Sequence, residues 1–340
     1  MVLTADVPTV VTVAQLVSSA VRAPSVHNTQ PWAWRYADGV VSLLADFSRQ
    51  IRGQDPDARD LIISCGAALH HFRIAARHHG WSTSVRRMPD RDRPELLAEI
   101  RLRHSRRHPS DSTVYEAIAA RRSDRRHYAG DPVPLSYLDY LTESATRQGA
   151  LGVAIEDARA QETLNEMLRY ARLVHDADRE GTRESDSWMA DRPYDGVPSA
   201  NRIRIPDALD TQLRPVTRFS SGTLADDQAG AGRRCGHWMA IGTSSDDSLS
   251  RVRAGEALSA VLLQSVADGM NALPLSQAIE VDATRHQLEE SLFGGAVCLQ
   301  MLVQVRRALP ELEEVPATPR RPLREVFDAE MSELSIPPSP

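Results

Sequence analysis

Val13, Leu16, Val17, Ala20 and Val21 recur at helical spacing near the start of the chain and form one apolar stripe. Pro24 stops it, because a residue preceding proline is pushed away from helical angles, so the helix is expected to end at Ala23. The pattern then alternates, and Asp38-Gly39 within 34–45 marks a hairpin or strand pair. Asp55-Pro56 announces a helix, with Asp55 at the cap and Pro56 in the first turn. Ile62, Cys65, Leu69, Phe72 and Ala76 make its apolar face and Gly80 ends it, which predicts a buried helix. Residues 81–88 and 97–103 read as strands, the second alternating Leu97, Glu99, Arg101 against Ala98, Ile100, Leu102.

Further on, the spacing predicts helices over 112–120, 136–148 and 158–179, with a strand at 151–155. Residues 180–235 carry Trp188, Tyr194 and several prolines but no sustained periodicity, the mark of a lid, a binding loop or disorder. A strand at 237–243 and a long helix from Asp246 or Asp247 to Ala267 follow. The prolines of 316–323 predict an extended arm. An internal repeat is visible: Gly66-Ala67-Ala68-Leu69 lies 14 residues before Gly80, and Gly255-Glu256-Ala257-Leu258 lies 14 before Gly269. Each copy is a small-residue-rich helix feeding a strand, and the almost wholly apolar 297–305 matches 97–103, so duplication is the reading.

A chain of 340 residues exceeds one average domain. Its 41% apolar and 25% charged content is that of a globular protein, and a net charge of -6 argues against nucleic acid as a partner. All 40 basic residues are arginine, so neither a Schiff-base lysine nor a P-loop lysine exists. No apolar run approaches the ~18 residues of a membrane span, and no secretory signal is visible, which sets a cytoplasmic expectation. Cys65, Cys235 and Cys298 are too far apart in sequence for a Cys-x-x-Cys pair and read as free thiols. The pairs His70-His71 and His78-His79 do not share a helix face and no carboxylate or thiolate completes a set, so they read as solvated positions rather than metal ligands.

Two stretches carry chemistry. Between Arg22 and Trp32, five hydrogen-bonding side chains (Ser25, His27, Asn28, Thr29, Gln30) occupy six positions between prolines. Such a run is costly to order for a mere connection, so it reads as a ligand-lining loop. Arg121-Arg122-Ser123-Asp124-Arg125-Arg126 follows a helix. Its cations suit the negative end of the helix dipole, or, with the serine hydroxyl, converge on an anion such as phosphate.

The run from Pro24 to Trp32 resembles the Pro-Ser-x-x-Asn-x-Gln-Pro-Trp loop of the FMN-dependent nitroreductase superfamily. Over residues 10–328 the chain is most similar to the superfamily's long, single-chain Acg family. The resemblance implies an α+β fold of antiparallel and mixed sheets flanked by helices, with two fused halves forming a covalent pseudo-dimer. Residues 1–110 would be the first half and 111–330 the second, carrying an inserted lid at 180–235. It implies FMN between the halves. Pro24, Ser25, His27, Asn28 and Gln30 would line the flavin from one side. Arg121, Ser123 and Arg125 would meet its phosphate, ribityl chain and pyrimidine edge, and Arg320 and Arg321 the phosphate. Pro274, Leu275 and Ser276 would pass the reactive N5, with Ser276 where Glu is common and Gln277 where Gly is common. The second half holds no good copy of the amide-rich loop, only the echo at 197–201, so one flavin per monomeric chain is expected. Two functions follow: hydride transfer from NAD(P)H to electron-poor aromatic or quinone acceptors, or sequestration of FMN under a closed lid.

Overall fold

The first apolar stripe folds as helix α1 (Val10–Ala20) in a computed structural model that describes residues 7–107, 110–126, 132–204, 219, 222–225, 236–309 and 311–329. Thr9 caps it by accepting the Thr12 N–H, and Val13, Leu16, Val17 and Ala20 are buried. Two further N–H groups, of Arg22 and Ala23, bond three residues back, so the winding tightens to its stop before Pro24. Strands β1 (Trp32–Ala37) and β2 (Val40–Ala45) pair antiparallel through Asp38-Gly39, whose φ values of 51° and 72° suit the twist of a two-residue hairpin.

Helix α2 begins at Arg59, later than Asp55-Pro56 suggested (Arg59–His78). Asp55 still caps it, from outside the first turn: its carboxylate accepts the N–H groups of Asp60 and Leu61 at 3.1 and 2.9 Å. Strands β3 (Trp81–Arg87) and β4 (Leu96–His104) complete the first unit, and α3 (Ser110–Ala120) follows. Then α4 (Leu135–Thr146), β5 (Leu151–Ile155), β6 (His237–Thr243), α7 (Ser248–Ala267), β7 (Met270–Leu275) and β8 (Cys298–Arg307) repeat the order helix, strand, strand, helix, strand, strand. Numbering α5 (Ala158–Ala177), α6 (Arg179–Trp188) and α8 (Asp282–Phe293) in chain order, these are additions to the second copy.

The two sheets show the same duplication. One has the order β3-β4-β2-β1, the other β7-β8-β6-β5, with antiparallel pairing throughout. Where the first copy makes its two-residue hairpin, the second inserts residues 156–236, so the insertion begins well before 180. After the extended arm comes a short helix, α9 (Leu323–Val326), and a strand, β9 (Phe327–Ala329), that pairs parallel with β1, Trp34 opposite Phe327. The arm thus starts in the second half and ends in the first half's sheet.

Helices α2 and α7 pack against each other at the centre. Their contact is knit by the fully buried Glu256 of α7, which accepts from Arg73 Nη1 and Arg87 Nε at 2.6 Å each. That central position overturns one expectation. His70 and His71 are buried rather than solvated, because α2 has no free face there. His70 Nδ1 lies 2.8 Å from Ser259 Oγ on α7, and burial pushes its pKa down to about 3. Residues 179–188 are a helix, capped by Asp178, whose packed side consists of Gly181 and Ser185, too small and polar to register as an apolar stripe. Cys65 is buried and Cys298 half-buried; Cys235 lies outside the described residues.

Candidate functional site

The loop after α1 owes its shape to strained backbone. His27, Asn28 and Gln30 all have positive φ (45°, 55° and 51°), a region non-glycine residues enter at a cost. Hydrogen bonds from every side hold it. Gln30 N–H donates to Ser25 Oγ at 3.0 Å and Val26 N–H to Ser64 Oγ of α2 at 3.1 Å. Asn28 Nδ2 donates to Gly196 O of the insertion at 2.9 Å and to Pro319 O of the arm at 3.0 Å. The loop is therefore the point where first half, insertion and arm meet.

Beneath it lies a partly open cavity of about 1110 Å³, a volume that includes the solvent at its mouth. Pro24, Ser25, His27 and Asn28 form one wall, and Asp60, Ile63 and Ser64 of α2 continue it. Leu258 of α7, Met301 of β8 and residues 273–277 form the opposite wall. Arg121, Arg122, Ser123, Arg125 and Arg320 line one end, and Val197, Asn201 and Phe219 of the insertion form part of the enclosure. The sequence-expected residues Pro24, Ser25, His27, Asn28, Arg121, Ser123, Arg125, Pro274, Leu275, Ser276 and Arg320 are thus brought together, from elements up to 296 positions apart in the chain.

Gln30 and Arg321 are not on that wall. Gln30 is fully buried behind it, donating through Nε2 to Tyr194 O at 2.8 Å and accepting the Arg321 N–H on Oε1 at 2.8 Å. Arg321 turns to Asp46 and Glu325, at 3.8 and 3.7 Å. Both clamp the arm and the insertion in place rather than facing the space between.

The cationic end is unusual. Arg121 is 7% exposed, and the Arg320 side chain packs beside it. Neither has a carboxylate partner among the described residues, and the Nε of each is buried without a hydrogen-bond partner. Burial, then the neighbouring guanidinium groups, lowers Arg121 to about 10 and Arg320 to about 9. Two closely packed like charges, Arg121 buried and Arg320 half-buried, each with a spare Nε–H, favour a bound anion. The other arginines of the run differ: Arg122 pairs with Glu314 at 3.1 Å, Arg126 with Asp124 at 2.8 Å, and Arg125 stacks 4.0 Å over Phe219.

At the opposite end, Pro274 sits on β7, the edge strand of its sheet, where a missing N–H disturbs the ladder least. Ser276 Oγ donates to Glu280 Oε1 at 2.7 Å. Asp60 is the residue that sequence reasoning missed. It is 3% exposed, lies on the cavity wall, and neither carboxylate oxygen has a hydrogen-bond partner. Its signal was there: Asp60 and Ser64 are one helical turn apart at the start of the otherwise apolar stretch 61–69 of α2.

No family model matches the chain. A Mycobacterium tuberculosis protein provisionally named an NAD(P)H nitroreductase, Rv3131, is 36% identical over 330 residues, covering 94% of this chain and 92% of its own. The chain belongs to the nitroreductase family. A second Mycobacterium tuberculosis relative, Acg, is 31% identical over 329 residues, covering 92% of this chain and 93% of its own, which places the chain beside the Acg branch. A nitroreductase-family crystal structure from Anabaena variabilis superposes with a TM-score of 0.50 over 88% of both chains. At 9% identity that likeness speaks for the nitroreductase fold alone.

Proposed function

We propose that this nitroreductase-family chain is a cytoplasmic flavoprotein that holds FMN in the cavity between its halves and passes hydride from NAD(P)H to electron-poor aromatic or quinone acceptors. The observation that carries this reading is the packed Arg121–Arg320 pair, which lines the cavity with no carboxylate partner among the described residues. A phosphate there would supply the missing counter-charge and accept from the Nε–H that each guanidinium leaves unpartnered. Ser123, 3.5 Å from Arg121 Nη1, adds a hydroxyl. Leu258, Met301, Ile63 and Leu275 offer an apolar slot of the kind a flat ring occupies. FMN would supply the hydride-accepting and hydride-donating ring. The protein's own part would be to bind the phosphate, hold the ring between loop 24–28 and residues 273–277, and limit the access of water.

A second reading, FMN sequestration, has its own support. The insertion helps enclose the cavity through Val197, Asn201 and Phe219, and its Gly196 and Tyr194 carbonyls are hydrogen-bonded to Asn28 and Gln30. A cover pinned at these points stands where a nicotinamide or an acceptor would approach. Anaerobic mixing of the FMN-loaded protein with NADPH, followed by flavin absorbance, separates the two. Rapid bleaching supports the reductase. Slow bleaching with NADPH but prompt bleaching with dithionite supports sequestration. Purified protein that takes up no FMN ends both.

A further inference from the structure

Beside the cavity, three carboxyl groups crowd around one guanidinium. Asp55 and Asp60 are 4% and 3% exposed, and the Glu280 side chain is 1% exposed. Arg59, 7% exposed, lies among them and donates through Nη2 to Ile279 O at 2.9 Å. From α5, His175 reaches Glu280 Oε2 at 3.4 Å. Three buried acids so close together repel one another's charge, which favours a proton on the one whose oxygens are least hydrogen-bonded.

Their hydrogen bonds show which. The Asp55 carboxylate takes two backbone N–H groups at the start of α2, which favours its charged form. Glu280 takes the hydroxyl of Ser276 at 2.7 Å and faces His175. That hydroxyl has one proton, so it has none for the neighbouring Asp60. Asp60 is left with two bare oxygens in the cavity wall. Burial first, with repulsion from Asp55 and Glu280, outweighs the pulls of Arg59 and of the nearby Ser276 hydroxyl and pushes its pKa up to about 7.

We infer that Asp60 meets the bound flavin as a neutral carboxylic acid, donating its proton in a hydrogen bond to a carbonyl or ring-nitrogen acceptor, and that its ionisation closes the site to the flavin at alkaline pH. The inference rests on the FMN reading above and adds to it a residue and a pH response. As carboxylate, Asp60 would present a buried negative charge and no donor to an acceptor atom, the worst pairing for such an edge. The cavity would then discriminate for rings that carry acceptors on the side facing α2.

The test is a titration of apo-protein with FMN, read by quenching of flavin fluorescence at pH 6 and pH 8, in wild type and Asp60→Asn. If only the protonated form binds, a group titrating near 7 makes wild type about tenfold weaker at pH 8 than at pH 6. The amide of Asp60→Asn donates at both pH values and should lose that dependence. The second ionisation of the FMN phosphate, near pH 6, acts on both proteins and cancels in their ratio. A wild-type to Asp60→Asn ratio that is the same at both pH values overturns the inference and leaves the FMN reading standing. No FMN binding by wild type at either pH overturns both. As a readout independent of the variant's folding, the wild-type protein should show the infrared carbonyl stretch of a protonated carboxyl, lost between pH 6 and pH 8 and shifted by FMN at pH 6. A band that FMN does not move overturns the inference.

Discussion

Gly66 on α2 and Gly255 on α7 face each other where the central helices cross: a methyl built on Gly66 would lie 3.0 Å from the Gly255 Cα, and one on Gly255 2.8 Å from the Gly66 Cα. These are the equivalent glycines of the internal repeat, so each copy of the duplicated unit meets its own counterpart at the crossing. The methyls would also fall 2.2 Å from Val252 O and 2.0 Å from Ile63 O, and backbone carbonyls cannot step aside as a side chain would. Gly66→Ala or Gly255→Ala is expected to cost about 1–3 kcal/mol or more, as overpacking does. A denaturant midpoint equal to wild type in both variants would refute the close crossing.

Arg121→Met is expected to act in two opposite directions. Removing buried Arg121, which has no carboxylate partner among the described residues, relieves its repulsion with Arg320, so the apo-protein should unfold at the same or higher denaturant concentration. The flavin should nevertheless be held less well, since a charge-assisted contact is worth roughly 1.5–3 kcal/mol, or about tenfold or more in affinity. Ser123→Ala should weaken FMN in the same direction and by less. Unchanged flavin content after purification of either variant counts against the phosphate site.

His70 gives a pH dependence whose sign can be worked out. Its folded pKa is lowered to about 3 by burial, below the unfolded value of 6.5, so the unfolded chain binds more protons between these limits. Stability is therefore full above pH 6.5 and declines as pH falls toward 3. His71, also lowered by burial, adds to the slope. His70→Gln, which retains a polar partner for Ser259, should flatten the fall of the unfolding midpoint between pH 7 and pH 5. A slope identical to wild type would dismiss His70 as its source.

Replacing residues 186–200 by a short Gly/Ser linker removes the carbonyls that receive Asn28 and Gln30. Under the sequestration reading the variant should be reduced faster by NADPH and should lose FMN more readily. Under the reductase reading it should be damaged in both respects. Stopped-flow reduction of matched holo-proteins decides between them.

The duplicated halves should behave as one particle with one flavin. The α1–β1 connection holds the polar loop, whereas its counterpart between α4 and β5 is the short turn at 147–150, with no room for a second set of ligands. Light scattering should give the mass of a single chain, 37.6 kDa, and acid extraction one FMN per chain. Two flavins per chain would contradict the half-site reading.

Much of the framework was legible because it rests on periodicity and on punctuation by Gly, Asp and Pro. Asp38-Gly39, Asp247 and Pro24 each mark a boundary within a few residues of the observed one. The polar loop and the arginine run were legible because no simple connection needs them. What escaped was set by tertiary surroundings. His70 and His71 look polar in sequence, yet α2 is enclosed by α1, α3 and α7 and leaves no wet face for them. Helix α6 packs through Gly181 and Ser185, and Gly53 approaches so closely that a side chain there would meet the Gly181 Cα at 3.0 Å, so no apolar stripe is needed. Strand β9 is only three residues long and owes its existence to the open edge of β1. Asp60 was hidden for a related reason, since nothing in its own segment tells that Glu280, 220 positions later, lies beside it.

The route of the arm past Arg320 and into β1 bears on the order of assembly during synthesis. Arg121 leaves the ribosome nearly two hundred residues before Arg320 and loop 24–28 nearly three hundred, and β1 keeps an open edge until Phe327 arrives. A nascent chain that stops short of Arg320 therefore has most of its cavity walls but lacks one of the two paired cations at its anion end. Flavin capture becomes a late event, tied to completion of the sheet, and truncated chains ending before Arg320 carry an exposed strand edge that quality control can recognise.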